Sequence, residues 1–293
     1  MKRADINRNN EIEKRIELAR KQIQTEIDAA YRRYASKEGI SISDVHKRVN
    51  KVDVQSLSNK AKMYSKSHDF SARANYEMKL YNLTMRVSRL ELIKAELGLE
   101  LIDMTNDLDK YLKAELKNVS IDELRRNSGI MSMTVDERMF GKMIESIVDG
   151  SFATANFSDN IWKYHAELKA ELDKLLIKSF TQGENPRVLA RELRKTFDVT
   201  KNQAERLMRT ETARVQNEVQ KHTYEEGDIK RYGFLAESNA CSICKAVEKG
   251  SPYLVSKMET GYNAPPMHPN CRCSTYPVAE REELEAMFKA LGK

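Results

Sequence analysis

From about Ala72 to Lys117 the chain runs without a proline, and Leu80, Leu83, Val87, Leu90, Ile93 and Leu97 recur three or four residues apart. That period sets all six along one face of an α-helix. Gly98 is the weak point, costing about 1 kcal/mol against Ala in a helix interior. A helix this long needs a surface on which to bury its apolar face, so it reads as an arm, a bundle strut or a contact with another subunit. Composition agrees, since only 11 Gly and 6 Pro in 293 residues leave few turns for a β-sandwich.

Helical spacing recurs elsewhere. Ile12, Ile16, Ala19, Ile23, Ile27, Ala30 and Tyr34 form a stripe over residues 10–36, which Gly39 closes. A shorter helix is expected after Ser43 and another over 54–66. Three hydroxyls precede a Glu or Gln by three positions, the pattern of a capping box: Ser120 with Glu123, Thr134 with Glu137, Thr200 with Gln203. They predict helices near 121–128, 134–148, 159–182, 186–197 and 201–226. Gly183 and Gly227 act as stops, and Asn185-Pro186 as an N-cap followed by proline at the first helical position. The helices at 186–197 and 201–226, joined through Asp198-Val199-Thr200, have the outline of a helix-turn-helix, although such pairs are a common packing unit.

Beyond Gly227 the period changes. Residues 229–238 and 273–278 have the aromatic and β-branched content of strands, and an irregular stretch with Gly250, Pro252, Gly261, Pro265, Pro266 and Pro269 lies between them. A helix near 279–291 closes the chain. The expected fold is mostly α: a long-helix N-terminal arm and helical bundle, then a small α+β zinc-stabilised C-terminal module. The expected domains are a helical region at 1–128, a helical core at 129–228 and the metal-binding module at 229–293.

All four cysteines, Cys241, Cys244, Cys271 and Cys273, fall within 33 residues, and His268 precedes Cys271 by three. A C-x-x-C turn holds two thiolates at the separation a tetrahedral ion needs, and the second half, HPNCRC, offers up to three more ligands. That makes five candidates for four positions, and so many sulfurs select zinc over magnesium or calcium. Disulfides are the alternative, disfavoured for a chain with no secretory signal at its charged start. A redox C-x-x-C lacks its βαβ setting. Glu237, Glu248 and Glu259 form no H-E-x-x-H or H-x-E pattern, so a structural site is expected and no catalysis. His46, His68, His165 and His222 are scattered, and each reads as a surface or packing residue.

Residues 1–66 carry sixteen basic and nine acidic side chains, while the whole chain has a net charge of +6. Such an arm, with Lys2, Arg3, Arg32 and Arg33 among its cations, could meet phosphates non-specifically and with strong salt dependence, or simply be a solvated helix surface. No apolar run approaches the roughly 18–20 residues of a membrane span.

Three segments carry a resemblance to a known family: SFATANFSDNIW at 151–162, RLMRTETARVQN at 206–217 and NAPPMHPNCRC at 263–273. Over about residues 130–280 the chain resembles the head morphogenesis (Mu F-like minor head) proteins of tailed bacteriophages. The resemblance implies a structural protein of few copies per virion, made in the bacterial host cytoplasm and placed near the portal or in the capsid interior. Its implied partners are the portal protein, capsid or scaffolding proteins, and packaged DNA, with roles in head assembly, DNA packaging or DNA delivery. The family's RTE element falls on Arg209, Thr210 and Glu211, and its HPNCR element on His268, Pro269, Asn270, Cys271 and Arg272. A buried Arg–Glu pair formed by Glu211 with Arg209 or Arg214 is expected to lock its helix to the metal module. A zinc-stabilised nucleic-acid-binding protein is the first alternative function, and a metal-dependent nuclease the second.

Overall fold

The computed structural model describes residues 2–34, 59, 62–63, 66, 71–73, 89–131, 137–152, 155–182 and 185–278. The helices expected after Ser43 and over 279–291, with the caps at Gly39, Thr134 and Gly183, lie outside the described residues, and of the helix expected over 54–66 only residues 59, 62–63 and 66 are described, all of them helical. The elements are α1 (Lys2–Tyr34), α2 (Arg89–Ile130), α3 (Glu137–Asp149), β1 (Ser151–Phe152), β2 (Ala155–Asn156), α4 (Phe157–Gln182) and α5 (Pro186–Glu226). After them come β3 (Arg231–Leu235), α6 (Ser242–Gly250), β4 (Tyr253–Leu254), a 3₁₀ turn (Val255–Lys257) and β5 (Ser274–Val278). The fold is thus mostly helical with a small C-terminal sheet, as expected.

The chain divides into two compact units, Met1–Tyr111 with Ser158–Glu205, and Leu112–Phe157 with Arg206–Lys293. In the first, the α1 stripe is the interior face: Ile12, Ile16, Ala19, Ile23, Ile27 and Ala30 are all buried. Leu92, Ile93, Ala95, Leu97, Leu99, Leu101 and Ile102 of α2 are buried around its whole circumference. Glu96 and Glu100 are buried in the same stretch, so charged as well as apolar side chains lie inside the bundle. Polar contacts tie its neighbours together: Arg15 of α1 reaches Asp107 of α2 at 2.9 Å, Lys201 of α5 reaches Glu13 at 3.1 Å, and Gln203 reaches Glu167 of α4 at 2.9 Å.

In the second unit, β4, β3 and β5 form an antiparallel sheet in that order, with Gly233 opposite Tyr276. A Cβ at 233 would meet the outer end of the Tyr276 ring, so the glycine lets that ring lie across β3. Tyr232 and Phe234 alternate with exposed Arg231 and Leu235 and face the interior, Tyr232 against Tyr224 of α5 and Met258, Phe234 against the cysteines. Tyr224 donates a hydrogen bond to Thr275 of β5 at 3.2 Å, and burial pushes its phenol up to about 12.

Two expected helix starts are helix interiors. Ser120 sits completely buried within α2, its hydroxyl donating to the Leu116 carbonyl at 2.8 Å, and α2 runs on to Ile130 instead of ending near Lys117. Glu123 is a buried acceptor for Asn127 at 3.0 Å and for Gln220 of α5 at 2.7 Å. Thr200 likewise bonds the Thr196 carbonyl at 3.4 Å inside the unbroken 41-residue α5. The helix-turn-helix outline is therefore wrong. A hydroxyl that can bond the carbonyl four residues back has no need to cap a new helix, and Asp198-Val199 holds neither Gly nor Pro to stop the old one.

The cap at Asn185-Pro186 forms as expected, with Asn185 Oδ1 accepting the Arg187 N–H at 2.9 Å. At the other end of α5 the left-handed residue is Asp228 (φ 55°), one position beyond Gly227. Asp228 N–H bonds Glu225 O at 3.2 Å and Ile229 N–H bonds Tyr224 O at 2.9 Å, the two bonds of a Schellman motif. That reversal aims the chain into β3.

Candidate metal centre

The first two ligand candidates lie at a helix start. Cys241 is the extended residue before α6, and Cys244 is in its first turn, 1% exposed. The Cys244 and Ile243 backbone N–H groups face the Cys241 sulfur and lower its thiol pKa. The second pair lies on a turn in which Cys271 N–H bonds the His268 carbonyl at 3.1 Å and Asn270 takes a left-handed φ of 71°. Asn is among the few residues other than glycine that adopt this conformation readily.

The two halves converge. His268 Nε2 stands 3.3 Å from Cys241 Sγ and 3.4 Å from Cys244 Sγ, while Cys244 Sγ stands 3.9 Å from Cys271 Sγ. Tetrahedral coordination with metal–sulfur bonds of about 2.3 Å and metal–nitrogen bonds of about 2.0–2.1 Å puts neighbouring ligand atoms roughly 3.5–3.8 Å apart, close to these contacts. Two overlapping ligand triads result, Cys241–Cys244–His268 and Cys244–Cys271–Cys273, with Cys244 common to both. His268 Nδ1 lies 2.9 Å from the Pro269 carbonyl, an acceptor, so Nδ1 carries the proton and the Nε2 lone pair is turned to the sulfurs. Pro269 thus has a definite task. The cluster can hold a metal ion.

Its electrostatics without a cation fit that reading. A hydrogen bond from Cys273 holds Cys271 down to about 5, whereas the same contact raises Cys273. Burial drives Cys244 up to about 12. Closely packed thiols cannot all ionise together in a half-buried site, and a divalent cation removes that conflict by neutralising the thiolates. Cys244, Cys271 and Cys273 form a small buried cluster with Phe234, which gives this end of the module little apolar core of its own. Among the described residues no carboxylate joins the ligand groups, and Glu248 is occupied by the Ala236 N–H at 2.9 Å.

The Arg209-Thr210-Glu211 tripeptide faces two ways. Thr210 Oγ1 accepts the Asn270 backbone N–H at 2.8 Å, and Arg209 donates to the Asn270 side-chain oxygen. Glu211 pairs with Arg214 at 2.7 Å, both of them buried, but the pair does not reach the metal loop. Instead, the Arg214 guanidinium donates to the Ile147 and Val148 carbonyls, at 2.7 and 3.2 Å, at the C-terminal end of α3. Gly150 leaves room for it, since a Cβ there would lie 3.1 Å from Arg214 Nη1. The expected Arg–Glu pair therefore forms between Glu211 and Arg214 and grips α3, while Arg209 and Thr210 bond Asn270, in the turn between His268 and Cys271. Nothing in the spacing of these residues distinguishes the two directions.

Of the remaining candidates, Arg272 lines the concavity over the cysteines, a space of about 290 Å³. Arg3 is exposed on α1, whereas the side chains of Lys2, Arg32 and Arg33 lie outside the described residues. His222 is half-exposed near Glu225 at 3.8 Å, and His165 is a buried packing residue. His46 and His68 lie outside the described residues. None of the described residues forms a helix long and apolar enough to cross a membrane.

Residues 170–276 match the model of a family described as Phage Mu protein F like protein. The match takes in both the α5 tripeptide and the cysteine loops, and leaves out the 151–162 segment. It covers a little over a third of the chain. No curated protein and no solved structure matches.

Proposed function

Because this chain carries a Phage Mu protein F like segment, we infer that it is a minor head protein of a tailed bacteriophage, structural in role and acting in head morphogenesis. The observation that carries this is the coincidence of the matched segment with a built site: the same residues 170–276 bring the Cys/His cluster and the helix that braces it together. Its place is the virion, at the portal or capsid interior, after assembly in the bacterial host cytoplasm. The portal protein and capsid or scaffolding proteins are its partners, with packaged DNA as a non-specific contact. It supports head assembly, DNA packaging or DNA delivery and performs no catalysis.

The metal is zinc, held by Cys241, Cys244, His268 and Cys271, with Cys273, whose thiol contacts Cys271 and Cys244, as a supporting thiol. When bound, the ion supplies charge neutralisation and folding free energy to a module with little core. The chain's own residues orient it: Pro269 fixes the His268 tautomer, and α6 presents its N-terminal amides to Cys241.

The test is a phage in which this gene carries an early stop. Purified wild-type particles should contain the protein at a few copies per head. The mutant should yield fewer DNA-filled or infectious particles, with complementation restoring them. Absence of the protein from heads and virions, with normal particle yield, would overturn the reading. The basic excess of residues 1–66 favours one second reading, a zinc-stabilised nucleic-acid-binding protein. A salt-sensitive DNA gel shift lost on deletion of that region would assign the phosphate contacts to it.

A further inference from the structure

We propose that Arg209 and Thr210 are positioning residues of the metal centre: from α5 they hold the Asn270 turn in the one conformation that aims His268 and Cys271 at the ion. This rests on the metal reading above and adds to it residues outside the ligand set. The Thr210 hydroxyl donates its own hydrogen to the Arg206 carbonyl at 2.8 Å. It therefore offers only lone pairs to the outside, and the Asn270 N–H takes one of them at 2.8 Å. Thr210 is 4% exposed, so this acceptor has no freedom to turn away. The next residue back along the helix, Arg209, takes the other end of the same asparagine, its side-chain oxygen.

Asn270 is the residue that needs holding. Its left-handed backbone, φ 71°, lies between the two ligands, two positions after His268 and one before Cys271. A short loop in this conformation samples others when free, and each of them moves His268 Nε2 or Cys271 Sγ off a site that tolerates only a few tenths of an ångström. Adjacent helical residues project about 100° apart, so Arg209 and Thr210 straddle the turn rather than touch it at one point. Glu211, turned a further step round, is free to serve Arg214 and α3. The three consecutive residues therefore divide between two tasks.

The test uses the full chain and zinc alone, with affinity read by competition against a chromophoric chelator, and the Co(II)-substituted protein read by its d–d spectrum. Thr210→Val, which removes the acceptor, and Arg209→Met should each weaken zinc by about 10–100-fold and shift the Co(II) bands, with helical circular dichroism unchanged. Thr210→Ser should restore wild-type behaviour. Asn270→Gly keeps the left-handed backbone on an exposed residue and removes only the amide that Arg209 holds, so it serves if Thr210→Val does not fold. Wild-type protein that binds zinc, with Thr210→Val, Arg209→Met and Asn270→Gly matching it in affinity and spectrum, would overturn this proposal and leave the metal reading standing. Wild-type protein that binds no zinc would overturn both.

Discussion

Arg214 shows how much one buried side chain can carry. Its side chain is 4% exposed and its partner Glu211 is 2% exposed, and burial raises the Glu211 carboxyl pKa in spite of the adjacent guanidinium. Removing the cation leaves a buried carboxylate without compensation and two α3 carbonyls without their donor. Arg214→Met should therefore cost about 3–5 kcal/mol in urea denaturation followed by circular dichroism, and Glu211→Gln combined with Arg214→Met should recover a good part of that loss. A double variant no more stable than Arg214→Met alone would contradict the account. His165 is the second case. It is 5% exposed, its Nδ1 lies 2.9 Å from the Thr105 hydroxyl, and burial, with Lys169 and Arg73 nearby, lowers its pKa to about 4. A folded pKa below the unfolded 6.5 means that the unfolded chain binds the proton more tightly, so stability is present above 6.5 and is lost as pH falls toward 4. Between pH 7 and pH 5 the loss should be about 2 kcal/mol. Trp162, the chain's single tryptophan, has its ring centre 5.3 Å from that of His165 and reports the transition by fluorescence. His165→Gln should flatten this pH dependence, and an unchanged slope would show that other groups set it.

At the scale of elements, α2 and α5 differ from their expected forms for a single reason. The three-residue spacing of a hydroxyl and a Glu or Gln is also found inside a helix, where the hydroxyl bonds the carbonyl four residues back, as Ser120 and Thr200 do. The two readings predict different costs. Loss of an N-cap costs about 1 kcal/mol, whereas loss of a mid-helix hydroxyl in favour of the best helix former should change stability by less than about 0.5 kcal/mol. Ser120→Ala and Thr200→Ala are expected in the second class by thermal or urea denaturation. A loss of a full kilocalorie at Thr200 would restore a helix start there.

Across the whole molecule, a metal ion held by the cysteine cluster would offset a shortage of core. The C-terminal sheet rests on two small apolar clusters, one of them built largely from the cysteines. Elemental analysis of the purified chain should find one zinc per molecule, absent from Cys241→Ser and Cys271→Ser and retained by Cys273→Ser. Chelation should raise amide hydrogen exchange across residues 231–278, because the ligands join segments 27 residues apart, Cys244 to Cys271, through the ion. Zinc retained in Cys271→Ser but lost in Cys273→Ser would move the fourth ligand to Cys273.

Local chemistry was enough for much of this. The α1 stripe, the cap at Asn185-Pro186, the strands β3 and β5 and the grouping of four cysteines with His268 were all legible in the residue order, because period, capping and side-chain type act over a few neighbouring positions. What depended on distant partners was not legible. Whether Ser120 and Thr200 open a helix or sit within one is settled by what packs around them. The same three residues, Arg209, Thr210 and Glu211, divide between two tasks because Asn270 comes within reach of Arg209 and Thr210, whereas Glu211 pairs with Arg214, whose guanidinium reaches Ile147 at the end of α3. A side chain's type and spacing determine what it can bond, and only the tertiary structure decides which of those bonds has its partner within reach.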